Sequence, residues 1–301
     1  MIGMHRFEKL YCSRWNIGFI EQPVAEIMTG AETEFDVKWV KHRLTDRFFA
    51  DPFILSVEGG VIKVLVEEYF YNTKKGIITL LEVDAATYEL RRRKVVLEQP
   101  YHQSFPYIHR DGDRIYVLPE ASASGCLYRY EYDAVREELV NRQLVVEEPL
   151  LDSTFVEHNG KWWLLCTKRG GYSNRGLFVF ESERFEGPYT PINGNSPVIV
   201  DWDNARPAGY IERIGGKVYR SSQVCTCSYG EYMKIFEVEA IDESGVNQKF
   251  VKEIHPKRSK YSESFHTLNG YGAITVVDGT NSSFRPLFKL WTGLEYKLKR
   301  K

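Results

Sequence analysis

Four segments of the chain share one plan: an apolar run, a two-residue turn, and a second apolar run. They read PFILSVEGGVIKVLVEE, PYIHRDGDRIYVLPE, STFVEHNGKWWLLCTK and GYIERIGGKVYRSSQ. Their turns, Gly59-Gly60, Asp111-Gly112, Asn159-Gly160 and Gly215-Gly216, use residues that tolerate the positive φ of a two-residue hairpin loop. A third strand follows each hairpin: ITLLEVD, LYRYEYD, LFVFESE and MKIFEVE, with Glu82, Glu131, Glu181 and Glu237 in the same place. A fifth copy starts at SESFHTLNGYGAITVVDG and continues into RPLFKLW. The period, roughly 50 residues, belongs to propeller blades rather than helical solenoids.

The expected fold is therefore all-β: one five-bladed β-propeller over residues 1–301. Residues 1 to about 45 would supply a strand that closes the ring against the last blade, because closure leaves only short, protected edges. The one helical candidate, YDAVREELVNRQ, reads as an interblade connection with a helical turn.

Composition narrows the function. Lys plus Arg (40) nearly equals Asp plus Glu (41), so no global field draws the protein to nucleic acid or an anionic membrane. No apolar stretch reaches the length needed to span a bilayer, and the first residues lack a signal-peptide pattern. A cytoplasmic location is expected. Cys12, Cys126, Cys166, Cys225 and Cys227 form an odd, scattered set without zinc spacing, which predicts reduced thiols.

In a propeller the innermost strand of each blade follows the channel, so the residues that start those strands converge on one mouth. These starts carry Asp51-Pro52, Ser104-Phe105-Pro106-Tyr107, Asp152-Ser153-Thr154, Arg206-Pro207-Ala208-Gly209 and Ser264-Phe265-His266. Asp-Pro before a strand is also ordinary turn chemistry. What favours a site role for Asp51 is that other copies place a different polar group at the matching point.

ADPFIL with VEE and KKGIITLLEVD, SFPYI with YVLPEAS, ARPAGYI with YRSSQVCTCSYGEYMKIFEV, and FHTLN with VVDG carry a family resemblance. In order and spacing they resemble the five-bladed propeller glycoside hydrolases of the family 43 type. They are most similar to the domain at the N-terminus of plant glucosamine inositolphosphorylceramide transferases and to bacterial relatives from polysaccharide gene clusters. The resemblance implies a carbohydrate or nucleotide-sugar ligand. It makes Asp51 a general base and places Asp152 where the family has its general acid, normally a glutamate. The family's third carboxylate would fall in SFPYI, where this chain has Ser104 and Tyr107.

Glu120 in LPEAS and Glu67 in VEEYF end matching strands, either as solvated strand ends or, for Glu120, as the acid that SFPYI lacks. Arg206 and Arg220 suit a carboxylate or phosphate clamp, or a bridge between blades. Gln223 suits a sugar hydroxyl or a strand end. His266 is the one histidine at a channel position; the family allows a calcium ion near such a residue, but no residue pattern in this chain indicates one. KRGGYSNRG reads as a loop over the mouth and LRRRK as a solvated face. The expected activity is chemistry on a glycosidic bond or activated sugar in surface-polysaccharide metabolism. The alternatives are a non-catalytic glycan-binding module and a partner subunit of a glycosyltransferase.

Overall fold

The computed structural model of the chain describes residues 11–287 together with 291 and 292. Each expected hairpin forms. Glu58 pairs with Val61 across Gly59 and Gly60, His158 with Lys161 across Asn159 and Gly160, and Ile214 with Lys217 across Gly215 and Gly216. The second hairpin shifts by one residue: Asp111 pairs with Arg114, so its loop is Gly112-Asp113 and Gly112 supplies the positive φ of 55°.

Three sheets are built from neighbours in sequence. The first runs Arg47–Glu58, Val61–Phe70, Lys75–Asp84, Leu90–Leu97, and the second Ser104–Asp111, Arg114–Glu120, Leu127–Asp133, Glu138–Val146. The third runs Leu150–His158, Lys161–Lys168, Gly176–Ser182, Thr190–Pro191, with Ile199–Val200 also on Gly176–Ser182. Glu82, Glu181 and Glu237 sit on third strands and pair with Lys63, Lys161 and Lys217, which explains their shared position.

The remaining strands form one nine-stranded sheet. One half is Pro207–Ile214, Lys217–Gln223, Met233–Asp242 and Gly245–Pro256, flanked by Glu34–Phe35; the other is Leu268–Tyr271, Ile274–Phe284, Tyr11–Ile20 and Lys38–Trp39. A single parallel pairing, Gly209 to Leu268, joins the halves. Only glycine fits there, since φ is 137° and a Cβ would lie 2.2 Å from the Leu268 carbonyl oxygen. Tyr11–Ile20 runs antiparallel to Ile274–Phe284, so the N-terminal strand closes the last sheet as expected. Pro286 and Leu287 are helical, whereas residues 288–290 of RPLFKLW lie outside the described residues.

The first strands touch in a cycle. Arg47–Glu58 lies against Ser104–Asp111, that against Leu150–His158, that against Pro207–Ile214, then Leu268–Tyr271, which returns to Arg47–Glu58. Phe53, Tyr107, Phe155 and Tyr210 fill the middle of this cycle with ring centroids 5.0–6.0 Å apart. The axis is thereby closed by an aromatic plug.

YDAVREELVNRQ is not helical: Leu127–Asp133 and Glu138–Val146 form a hairpin there. The Asp133 carboxylate accepts the backbone N–H groups of Val135 and Arg136, and Glu137 has a left-handed backbone (φ 51°) that turns the chain back so that Glu138 pairs with Asp133. Asp133→Ala should shift the urea unfolding midpoint to lower concentration by a measurable value, since the turn loses its side-chain acceptor. A value near zero would mean that strand pairing alone fixes the turn. A six-residue helix, Val24–Thr29, was not anticipated; it buries Ile27 and Met28.

Candidate active site

The strands around the axis begin with an irregularity. Pairing slips between Ala50 and Phe53, between Ser104 and Tyr107, and between Leu151 and Thr154. Inside each slip one residue has a left-handed backbone: Asp51 at φ 52°, Phe105 at 42° and Asp152 at 47°. A bulge re-aims a side chain, and holding a non-glycine residue this way costs on the order of 1–3 kcal/mol. The repetition of that strain at three matching places makes these strand starts the candidate site.

Asp51 is 6% exposed. Its Oδ2 accepts the Phe105 N–H (3.2 Å), its Oδ1 accepts the Thr267 hydroxyl (3.2 Å), and His266 Nε2 stands 3.3 Å from Oδ1. Its own N–H donates to Asp278 Oδ2 at 2.8 Å, and Asp278 Oδ1 lies 2.6 Å from His266 Nδ1. Asp51, His266 and Asp278 thus form one buried set. Asp51 is not a turn residue bonded only to its own loop.

Asp152 is 2% exposed. Its Oδ2 accepts both Arg206 Nε (2.6 Å) and Gln223 Nε2 (2.7 Å). The rest of the Arg206 guanidinium donates upward, to the Ser173 carbonyl (2.8 Å), Asn174 Oδ1 (3.0 Å) and the Tyr229 hydroxyl (3.3 Å). Glu120 Oε1 accepts the Ser122 hydroxyl at 3.0 Å, and its Oε2 accepts the Asp152 N–H at 3.4 Å. Residues 173–174 of the Gly-rich loop and Tyr229, which is 42% exposed, therefore stand over the buried acids.

Asp51, Glu120, Asp152, Arg206, Gln223 and His266 gather as one buried floor at the starts of the inner strands, close enough for their charges to act on one another. Other candidates lie elsewhere. Arg220 is buried within its own sheet, where Nε donates to Gln248 Oε1 at 2.6 Å and the guanidinium lies over Phe236; burial lowers its pKa to about 9. Tyr107 belongs to the plug and donates its hydroxyl to the Phe155 carbonyl at 3.2 Å. Ser104 is buried opposite Glu120 in the strand pairing.

Charge is expensive in this floor. Burial pushes Asp51 up to about 7; His266 and Arg206 oppose the shift, while Asp278 and Asp152 reinforce it. Burial, then Asp152, pushes Glu120 up to about 8. Glu67, buried beside them, is raised well above its ordinary value by burial and by the Asp51 and Glu120 charges. For His266 burial works against protonation, yet Asp278 and its hydrogen bond outweigh it and the pKa is raised.

All four shifts carry the same sign for stability. Each folded-state pKa exceeds its unfolded value, so the native state binds more protons in between and stability falls as pH rises through the folded pKa. Unfolding free energy in urea should therefore decline from about pH 6.5 to about pH 8, above the range in which the lowered His42, His102 and His109 act in the opposite sense, and Asp51→Asn should flatten the slope. A rise over that window would contradict a native floor that holds its protons more tightly than the unfolded chain.

Calcium near His266 can be tested against the donors present. Asp51, His266 and Asp278 offer ligand atoms within 4.8 Å of one another. Two carboxylates and an imidazole already bonded to one of them do not make the oxygen cage of about six to eight ligands that calcium takes. The residues do not fit that ion.

Asp278, Thr267, Glu67, Asn174, Tyr229 and Trp15, whose ring lies 4.2 Å from His266, were not singled out as site residues from sequence. Two had a readable signal: Glu67 matches Glu120 in strand position, and Asp278 ends the apolar run of VVDG.

A cyclic all-β scaffold with buried acids at the starts of its inner strands has a fold like that of the propeller glycoside hydrolases. Solved structures agree on the fold. The α-L-arabinofuranosidase PaAbf62A of Podospora anserina superposes with a TM-score of 0.55 at 9% identity, covering 74% of this chain and 77% of that one. The catalytic domain of a GH62 α-L-arabinofuranosidase from Coprinopsis cinerea gives 0.56 at 10% identity, covering 78% and 92%. A thermostable family-43 glycoside hydrolase gives 0.53 at 13%, covering 75% and 88%.

Residues 23–271 match the family model of the N-terminal part of glucosamine inositolphosphorylceramide transferase 1, and the chain belongs to that family. The transferase of that name from Oryza sativa subsp. japonica is 28% identical over 200 residues, covering 64% of this chain and 26% of the relative. The Arabidopsis thaliana protein is 27% identical over 214 residues, covering 66% and 26%. The chain thus matches about a quarter of the length of these curated relatives.

Proposed function

We propose that the chain is a five-bladed propeller enzyme acting on a glycosidic bond or an activated sugar, with the buried acid floor as its active site. The observation that supports this reading most is that Asp51, Glu120 and Asp152 come from three different sheets and meet in different electrostatic states. Asp152 is held by Arg206 and Gln223, whereas Glu120 keeps its proton near neutral pH. Glycosyl chemistry uses one protonated carboxyl on the leaving oxygen and a second carboxylate that activates the incoming nucleophile. Glu120 suits the first role and Asp51, titrating near neutrality, the second; Asp152 anchors Arg206.

Gln223 Oε1, Ser153 Oγ and Thr167 Oγ1 are buried without a protein partner among the described residues, and they suit sugar hydroxyls. The names of the relatives and of the solved structures, a sugar transferase and several glycoside hydrolases, concern the same class of ligand.

A second reading, a glycan-binding module serving a transferase, is favoured by Phe105, an apolar residue where the neighbouring strands place Asp51 and Asp152. Calorimetric titration with oligosaccharides and nucleotide sugars, paired with assays for reducing ends and for sugar transfer, separates the two. Binding with turnover supports the enzyme, and binding without it supports the module. A protein that binds none of these ligands at millimolar concentration would overturn both.

A further inference from the structure

Away from the axis, a groove of ≈ 820 Å³ runs along the rim between residues 39–44, residues 89–93 and residues 260–261. Its walls carry six cations, Lys41, Arg43, Arg91, Arg92, Arg93 and Lys260, against one carboxylate, Glu89. The run Arg91-Arg92-Arg93 is not the free part of this charge. Arg91 pairs with Asp84, Arg92 with Glu82 and Glu137, and Arg93 with Glu68.

The unneutralised charge comes from two other segments. Lys41, Arg43 and Lys260 are exposed, and among the described residues no carboxylate lies within ion-pair distance of any of them. Lys260 instead sits 5.1 Å from the Tyr261 ring centroid. The sequence brings these residues together only by folding: residues 39–44 connect the ring-closing region to the first sheet, whereas Lys260 precedes the last hairpin.

The groove is also shaped and firm. The Trp39 ring packs down where Gly18 and Gly279 leave room, since a Cβ at either would lie 2.7 Å or 2.6 Å from it. Its Nε1 donates to Ser259 Oγ at 2.9 Å, and it tilts against Tyr261 at 5.3 Å. His42 lines the same wall with its Nδ1 buried and without a hydrogen-bond partner among the described residues. Burial and the neighbouring Arg14 and Lys260 charges lower its pKa to about 4, so it adds hydrogen bonding rather than charge. A solvated basic face would let its cations spread apart. In this groove they converge on a cleft with a fixed aromatic wall.

We propose that this groove is a second binding site, separate from the channel floor, for a phosphorylated ligand whose phosphate is held by Lys41, Arg43 and Lys260 and whose body lies against Trp39 and Tyr261. Lysine and arginine together suit a phosphate, which accepts both point-charge and forked donors. The phosphate belongs either to a free phosphorylated sugar or to a lipid head group, and the two sources are separable.

The test uses the whole chain with three probes: glucose 1-phosphate, inorganic pyrophosphate, and vesicles containing phosphatidylinositol 4-phosphate, with phosphatidylcholine vesicles as the control. Wild type should bind at least one phosphate probe at low salt and weaken as salt is raised. The triple variant K41E/R43E/K260E should lose about tenfold or more in affinity, with unchanged circular dichroism. Binding to soluble probes identifies a free ligand, whereas binding confined to the phosphoinositide vesicles identifies a head group. If the triple variant does not fold, Arg43→Gln alone should still weaken binding severalfold. No binding to any phosphate probe, or equal binding by wild type and variants, would overturn the site.

Discussion

Asp51→Asn should keep its fold and its sugar ligand and lose turnover by about 10²–10⁴-fold, the range for removing a positioned acid or base. The fold is kept because asparagine tolerates the left-handed backbone at φ 52° and retains an oxygen for the Phe105 N–H or the Thr267 hydroxyl. What disappears is the ability to take a proton. Glu120→Gln should remove the donor and act on the other limb of the pH profile. With Asp51 near 7 and Glu120 near 8, the wild-type rate should rise through about pH 7 and fall above about pH 8, with the apparent values belonging to the set of acids together. Turnover by Asp51→Asn within a few fold of wild type would remove Asp51 from the chemistry.

Arg206→Ala should cost the fold about 3–5 kcal/mol, the range for removing one partner of a buried ion pair. Asp152 would keep only Gln223 against its charge, and the Ser173 carbonyl and the Asn174 side chain would lose their donor. The loop above the acids should loosen with it. Adding Asp152→Asn to Arg206→Ala should restore part of the loss, since the uncompensated charge goes while the shape stays. Urea unfolding of the two single variants and the double variant reads the coupling directly. A loss below about 1 kcal/mol for Arg206→Ala would show that water already screens the pair.

The hairpins were legible because glycine turns and alternating apolar residues are local signals, and the closing strand followed from the rule that a closed ring leaves only short, protected edges. The channel floor was legible in part, since matching strand starts must converge once the repeat is known. Arg220 shows where that logic stops. It lies three positions before Gln223 on Lys217–Gln223, so strand alternation sends the two side chains to opposite faces, and only Gln223 reaches Asp152. Tyr107 illustrates a second limit: the slip after Ser104 changes which residues face the axis acids, and a bulge leaves no mark in the sequence. The hairpin at Asp133 was misread because its apolar spacing resembles a helix, while the deciding contact is one side chain folding back on two backbone donors.

The pairing of Tyr11–Ile20 with Ile274–Phe284 also sets the order of assembly. A ribosome releases the first of these strands long before the second, so the ring cannot be sealed until most of the chain has been made. The first three sheets, built from sequence neighbours, can form meanwhile. Until sealing, Ile17 and Phe19, fully buried in the finished molecule, sit on a strand without its partner. Joining distant ends is the slow kind of contact, and an unpaired apolar strand is the sticky kind of edge. The final zipping step should therefore be the slow phase of refolding and the interval in which strand exchange between two copies competes, which refolding rates measured against protein concentration would read.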